Sequence, residues 1–276
     1  MIHVEDLPAL PGKLTMHEYL LGLKTNKEKI NRAIEVVKML PVNGCITGSC
    51  WLPNFDPDAW GTTPDVDVFV YSEDDLVRAV TIAEFGLKMK PGKGTERSEK
   101  QERWKLNRLY EQGLNYKIGI TTYTFYCDGV MVNFTFKQSK VMGKWVPIVN
   151  APSVLMSFDM SIVMQAYDIQ SRVMFDLRPD DVPVTTAVPN PLRKHDCMMW
   201  TVSKWVRQFD RVVKYYNRGF DTRPMAKFYL DMIDECIKAG CLFDSEESHE
   251  AFDNFSNEFI EKRAVIAEWY EEHKED

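Results

Sequence analysis

The spacing of apolar and polar positions near the start of the chain predicts strands with helices packed beside them. Apolar residues recur at helical spacing from Ile30 to Leu40, and Asn26 stands where a helix cap is expected. A short apolar strand is predicted at Gly44–Thr47. Residues 65–70 then alternate aspartate or phenylalanine with valine, which is the period of a half-buried strand. One face of that strand therefore points into a core, and the other face carries the carboxylates.

The next stretch predicts another helix and then a hairpin. Ser72 and Asp75 have the spacing of a capping box, and Gly86 marks the end of the helix that they start. Two runs rich in β-branched and aromatic residues, 116–126 and 130–136, are separated by an Asp-Gly pair. Asp-Gly between two such runs is a strong signal for a tight hairpin.

The second half of the chain changes character at residues 176–194, which contain four prolines and predict a linker or a long crossing loop. Residues 196–218 follow with the clearest amphipathic pattern in the chain. The apolar stripe of this helix predicts a core face, while Lys214 and Arg218 belong to a basic stripe on the opposite side. That basic stripe is either a solvated surface or a surface that holds phosphates. Tyr215 and Tyr216 are candidates for base stacking, and the alternative for Tyr216 is packing inside the protein.

Two further helices are predicted, one starting at Thr222 and Pro224 and one running from Ser245 to the end of the chain. The fold class is therefore α+β. We expect a mixed sheet flanked by helices over residues 1–185 and a helical C-terminal domain over 190–276.

Composition narrows the class of protein. No apolar run approaches the roughly 20 residues that cross a bilayer, and the N-terminus lacks the basic and apolar segments of a signal peptide. The six cysteines are scattered, which favours reduced thiols and a cytoplasmic location without a membrane. The net charge of −7 argues against broad, nonspecific binding of duplex nucleic acid.

The candidate chemistry lies in a Gly-Ser turn, Gly48 and Ser49, that precedes the strand of Asp65 and Asp67. Residues two apart on a strand point the same way, so the two carboxylates face one side together. Neighbouring like charges repel and require a proton or a cation to coexist. Oxygen ligands alone suit magnesium. The alternative is a structural strand with two exposed aspartates after an ordinary turn.

This Gly-Ser turn followed by Asp-Val-Asp-Val resembles the signature of the polymerase-beta-like nucleotidyltransferase superfamily. The resemblance implies that Gly48 and Ser49 hold a nucleoside triphosphate and that Asp65 and Asp67 hold two Mg²⁺ ions, or Mn²⁺ in their place. The spacer of residues 50–64 is longer than the family pattern. A looser similarity, over residues 44–220, links the chain to uncharacterised nucleotidyltransferase-like proteins of large viruses and phages.

The resemblance also implies a third carboxylate on a later strand. At that point in the order this chain has Asn133, whose amide cannot accept a proton from an attacking hydroxyl. The next candidate is Asp159, which either completes the acidic site or caps a turn. A basic segment at residues 87–108 is a candidate for contacts with phosphates, as are Lys214 and Arg218, and the alternative for that segment is a solvated loop and helix.

The implied activity is metal-dependent transfer of a nucleoside monophosphate from a nucleoside triphosphate to a hydroxyl, with release of pyrophosphate. A nucleic-acid 3′ end, such as that of a tRNA or another RNA, is the favoured acceptor, and a protein side chain is the other. Asn133 and the long spacer support an alternative hypothesis, a catalytically inactive binding protein on the same scaffold.

Overall fold

The computed structural model shows an α+β protein that divides into two compact units. One contains the chain up to Leu155 together with Gln165–Asp176, and the other contains Met156–Met164 together with the chain from Leu177 onward. The structure describes residues 14–61, 63–92, 120–141, 144–190, 202–239 and 249–275.

The first unit is built on an open mixed sheet of eight strands in the order β3-β4-β5-β2-β1-β7-β8, with β6 paired to the far end of β5. The pair β2–β5 is parallel, and the other neighbours are antiparallel. The strands are β1 Gly44–Thr47, β2 Asp65–Val70, β3 Lys90–Pro91, β4 Ile120–Cys127, β5 Val130–Val141, β6 Lys144–Pro147, β7 Gln165–Asp168 and β8 Met174–Asp176.

Seven α-helices occur in the described ranges. Four belong to the first unit and three to the second. They are α1 Met16–Leu20, α2 Asn26–Lys38, α3 Glu73–Thr81, α4 Ala151–Met156, α5 Val202–Tyr216, α6 Arg223–Ala239 and α7 His249–His273.

Buried and half-buried side chains alternate along β2, as the sequence predicts. Val66, Val68 and Val70 are fully buried, whereas Asp65 and Asp67 are half-buried. Helices α2 and α3 pack against β2 and β5. The apolar face of the central strand is therefore covered by helices, and the opposite face presents the carboxylates.

The helix starts and ends follow the sequence signals with two differences. Thr25, not Asn26, caps α2, because the Thr25 hydroxyl accepts from the Glu28 N–H and the Glu28 side chain accepts from the Thr25 N–H. Ser72 caps α3 as predicted. Helix α3 ends at Thr81 and continues as one π-helical turn to Gly86.

The predicted hairpin forms between β4 and β5. Asp128 and Gly129, both at positive φ, make its two-residue turn, and Cys127 pairs with Val130. The second hairpin strand then runs parallel to β2. Because of this placement, the hairpin brings residues of β4 and β5 next to the two aspartates.

The second unit has an aromatic core. The rings of Trp205 and Phe209 on α5 contact Tyr229 of α6, and Trp205 and Tyr229 are completely buried. Tyr216 packs edge-on against Trp269 of α7. The apolar stripe of the predicted 196–218 helix therefore forms core, as expected.

The chain passes between the two units more than once, whereas the sequence predicts a single boundary between residues 185 and 190. Residues 156–164 already belong to the second unit, and the hairpin β7–β8 returns to the first. The described part of the proline-containing stretch, residues 177–190, is a loop of the second unit. The Ser161 N–H donates to the Val188 carbonyl, and Ala187 is fully buried.

Among the helices that the structure describes, none has the length and apolar character that crossing a bilayer requires.

Candidate functional site

The Gly-Ser turn directly follows the end of β1 and is hydrogen-bonded to that strand. Gly48 has φ +93° and ψ −155°, a conformation essentially restricted to glycine, and Ser49–Trp51 form a single 3₁₀ turn after it. The Trp51 indole N–H donates to the Ile46 carbonyl at 2.8 Å, and the Cys50 thiol lies 3.5 Å from the Thr47 carbonyl. These contacts hold the start of the 3₁₀ turn beside the carboxylate-bearing strand.

The turn touches both aspartates. A Cβ on Gly48 would lie 2.6 Å from Oδ2 of Asp67, so only glycine allows the backbone this close to the carboxylate. The Ser49 hydroxyl donates to Oδ1 of Asp65 at 3.3 Å. The structure therefore brings together the four residues Gly48, Ser49, Asp65 and Asp67.

Asn133 occupies the position directly beside Asp67. The two residues are register partners in the parallel pair β2–β5. The Asn133 amide donates from Nδ2 to Oδ1 of Asp67 at 2.9 Å, and its Oδ1 accepts from the Thr124 hydroxyl at 2.8 Å. We call this line of three side chains, Thr124, Asn133 and Asp67, the polar row.

Thr124 is a site residue that the sequence argument did not identify, although a signal for it was present. A two-residue turn pairs Cys127 with Val130. Each step back along β4 is then matched by one step forward along β5, so Thr124, three residues before Cys127, pairs with Asn133, three residues after Val130. The hairpin signal alone therefore predicts the neighbour of Asn133.

The negative charges of the two aspartates act on the thiol of Cys50, a buried residue of the 3₁₀ turn. Burial raises the pKa of the Cys50 thiol well above its usual range, and the negative charges of Asp67 and Asp65 raise it further. The thiol therefore stays neutral at physiological pH, and its role at the site is packing.

The long spacer between the turn and β2 is anchored to the start of α2 and has an aromatic contact of its own. Both carboxylate oxygens of Asp58 accept from the backbone at the start of α2, from the N–H groups of Asn26 and Lys27. Phe55 is buried and makes an edge-on contact with Trp60. A carboxylate at a helix N-terminus satisfies unpaired N–H groups and complements the helix dipole. Asp58 of the spacer thus caps the start of α2.

Asp159 lies in the second unit, where its carboxylate forms a structural ion pair. The Arg211 guanidinium donates to both oxygens at 2.8 and 3.0 Å, and the Tyr229 hydroxyl donates to one of them. Burial alone raises the pKa of Asp159, but the charge and hydrogen bonds of Arg211 outweigh it, and the pKa is lowered. These contacts make Asp159 an ion-pair partner, which differs from the predicted turn cap, and the proposed site does not include it.

The basic stripe of α5 also has structural contacts. Arg211, one of its members, is the partner of Asp159. Arg218 is nine per cent exposed and lies over the ring of Tyr215, whereas Lys214 is exposed near the same ring. Tyr215 itself is buried against Phe220, which removes it as a surface for base stacking. Contacts of Lys214 and Arg218 with a nucleotide stay a prediction.

The predicted basic segment at 87–108 falls mostly outside the described residues, which end at Gly92 before this gap. In the ranges that are described, no group of three or more His, Cys, Asp or Glu side chains is arranged to hold a metal ion. A cation at this site would therefore depend on the two carboxylates of Asp65 and Asp67. Carboxylate oxygens are ligands that Mg²⁺ and Mn²⁺ accept.

Comparison of the chain with protein-family models and with curated proteins gives no match.

Proposed function

We propose that this chain is a metal-dependent nucleotidyltransferase that moves a nucleoside monophosphate from a nucleoside triphosphate to a hydroxyl. The observation that carries the proposal is the contact of the turn with both aspartates. Gly48 abuts Asp67, and Ser49 donates to Asp65. A turn that can bind phosphate oxygens, placed beside a pair of carboxylates that can bind a cation, suits a polyphosphate carrying a divalent cation.

The residues of the turn would bind the phosphates. The first N–H groups of a helical turn have no partner within the turn, so those at Ser49 and Cys50 are suited to phosphate oxygens. The Ser49 hydroxyl could release Asp65 and donate to the same phosphate. Gly48 keeps the backbone close enough for these contacts.

Asp65 and Asp67 would hold the divalent cation. The donor set fits such an ion, because two half-buried carboxylates project from the same face of β2. When bound, the ion would neutralise charge on the phosphates and on the leaving pyrophosphate.

The transfer forms a bond between the acceptor oxygen and the α-phosphorus and breaks the bond between that phosphorus and the bridging oxygen of the β-phosphate. Pyrophosphate leaves with the bonding electrons, and the hydroxyl proton passes to water. An RNA 3′ end, including that of a tRNA, is the favoured acceptor, with a protein side chain as the other. The cytoplasm, where all these reactants are present, is the proposed location.

A specific observation favours a second candidate, an inactive nucleotide-binding protein. Asn133 stands beside Asp67 and donates a hydrogen bond to it, so this position supplies no base for the attacking hydroxyl. The turn and the carboxylate pair would then bind a metal–nucleotide complex without turnover.

One experiment separates the two candidates. The protein is incubated with Mg²⁺ and each α-labelled nucleoside triphosphate, together with total RNA, single-stranded DNA or total protein as the acceptor. A variant carrying Asp65→Asn and Asp67→Asn runs in parallel. Label on one acceptor class that is absent with the variant supports the transferase. Magnesium-dependent nucleotide binding without any labelled product supports the binding protein instead.

A further inference from the structure

The polar row determines which way the Asn133 amide points. An ionised carboxylate only accepts hydrogen bonds, so the group of Asn133 that faces Asp67 has to be its NH₂. The carbonyl end of the amide then faces Thr124, whose hydroxyl donates to it at 2.8 Å. The row is therefore a chain of donors that ends on Oδ1 of Asp67, at 2.9 Å from Nδ2.

A donor at this position disfavours a second cation. The N–H of Asn133 takes one acceptor position of Asp67 on the β5 side, and its positive end repels a metal ion approaching from there. Two divalent ions about 3.5–4 Å apart carry four positive charges and are commonly bridged by shared carboxylates. Here the strand beside Asp67 supplies a neutral amide in place of a third negative charge.

We propose that this site takes one divalent cation per chain, and that the Asn133 amide, held by Thr124, takes the place of a second ion beside Asp67. The inference rests on the proposed function, since it assumes that Asp65 and Asp67 bind a cation. It departs from the two-ion site that the family resemblance implies. Asn133 and Thr124 are positioning residues in this proposal, because they act through the orientation of Asp67.

The sheet provides a matched control position one step along the same strands. Thr122 pairs with Thr135, and Thr135 is in register with Phe69, which carries no charge. The Thr122 and Thr135 hydroxyls are 2.9 Å apart. A carboxylate introduced by Thr122→Asp therefore adds the same charge to the same face, at an exposed position beside the neighbouring row instead of beside Asp67.

The test counts Mn²⁺ ions on the full chain, by the electron paramagnetic resonance signal of the free ion, with a non-hydrolysable nucleoside triphosphate present. We expect one bound ion for the wild-type chain, two for Asn133→Asp and one for Thr122→Asp. Two ions on the wild-type chain, or one ion on a folded Asn133→Asp variant, would overturn the inference. The wild-type count requires no substitution, so it decides the matter even if Asn133→Asp does not fold.

The same titration separates failure of this inference from failure of the proposed function. Two ions on the wild-type chain, both lost in the Asp65→Asn, Asp67→Asn variant, would contradict the single-ion site and leave the proposed function standing. A wild-type count of zero would contradict both. One ion that the double aspartate variant still binds would also overturn both, because the ion would lie elsewhere.

Discussion

Two aspartate environments in this molecule show how differently a fold can treat the same side chain. Asp159 lies in the second unit and is balanced by a full positive charge from Arg211, with a further hydrogen bond from Tyr229. Asp67 lies in the first unit, two residues from a second aspartate on the same strand face, and accepts a hydrogen bond from the neutral amide of Asn133.

A structural carboxylate can be distinguished by its partner from one that is available for chemistry. An arginine neutralises the charge of its partner, so little attraction for another cation remains at Asp159. A neutral donor orients a carboxylate but leaves its charge in place. The hydrogen bond from Asn133 therefore orients Asp67 without neutralising it, and Asp65 projects from the same face of β2.

The two aspartates should differ most in what their removal does to the stability of the protein. We expect Asp159→Asn to lower the free energy of unfolding by about 3 kcal/mol, because it leaves Arg211 without its charged partner. This value is at the low end for a broken buried pair, since the Arg211 side chain is 30% exposed. Asp67→Asn, which removes one of two like charges, should leave stability unchanged or raise it by up to about 1 kcal/mol. Urea unfolding of both variants measures the free energy of unfolding, and equal losses in the two would show that the two aspartates have the same structural role.

The next effect concerns the close approach of the turn. Gly48→Ala places a Cβ 2.6 Å from Oδ2 of Asp67 at a φ of +93°, so we expect metal-dependent nucleotide binding to weaken about tenfold or more. Gly22→Ala is the matched control, because Gly22 has a φ of +83° and nothing lies within 4 Å of its Cβ position. Calorimetric titration of both variants measures the binding. Equal binding by the two would show that the approach to Asp67 has no part in the site.

A smaller effect concerns pH. The pKa of Asp159 is lowered in the folded protein, so its stabilising contribution is complete above the unfolded value near 3.8 and is lost as the pH falls through the folded pKa. Between pH 5 and pH 2 the wild-type protein should therefore lose more stability than Asp159→Asn, and the gap between the two should narrow. A constant gap in thermal unfolding across this range would contradict the ion pair as the cause.

The smallest effect concerns the anchor of the spacer. Asp58→Asn removes a negative charge from the start of α2 and leaves one side-chain acceptor oxygen where the N–H groups of Asn26 and Lys27 now have two. We expect a loss of roughly 0.3–1 kcal/mol, smaller at high salt because Asp58 is exposed. Thermal unfolding at low and high salt measures the loss of stability. A loss that is the same at both salt concentrations would argue against an interaction with the helix dipole.

Local signals in the sequence predict much of the first unit. The alternation at 65–70 predicts which face of β2 is buried, and the Asp-Gly pair predicts the hairpin. Both depend on residues close together in the chain. The Asp159–Arg211 pair joins positions 52 apart, and nothing in the local sequence around Asp159 distinguishes an ion pair from a third acidic ligand. The cap of α2 differs from the prediction by one residue because Thr25 forms a reciprocal pair with Glu28.

The most direct test of the proposed site is magnesium-dependent nucleotide binding. Equilibrium dialysis with a labelled nucleoside triphosphate compares the wild-type chain with and without Mg²⁺, beside the Asp65→Asn, Asp67→Asn variant. We predict that the wild-type chain binds nucleotide only with Mg²⁺ and that the variant loses at least about 100-fold in affinity, equivalent to about 2.7 kcal/mol. Wild-type binding that is the same in excess chelator, or that survives in the variant, would contradict a cation–triphosphate site at Gly48, Ser49, Asp65 and Asp67.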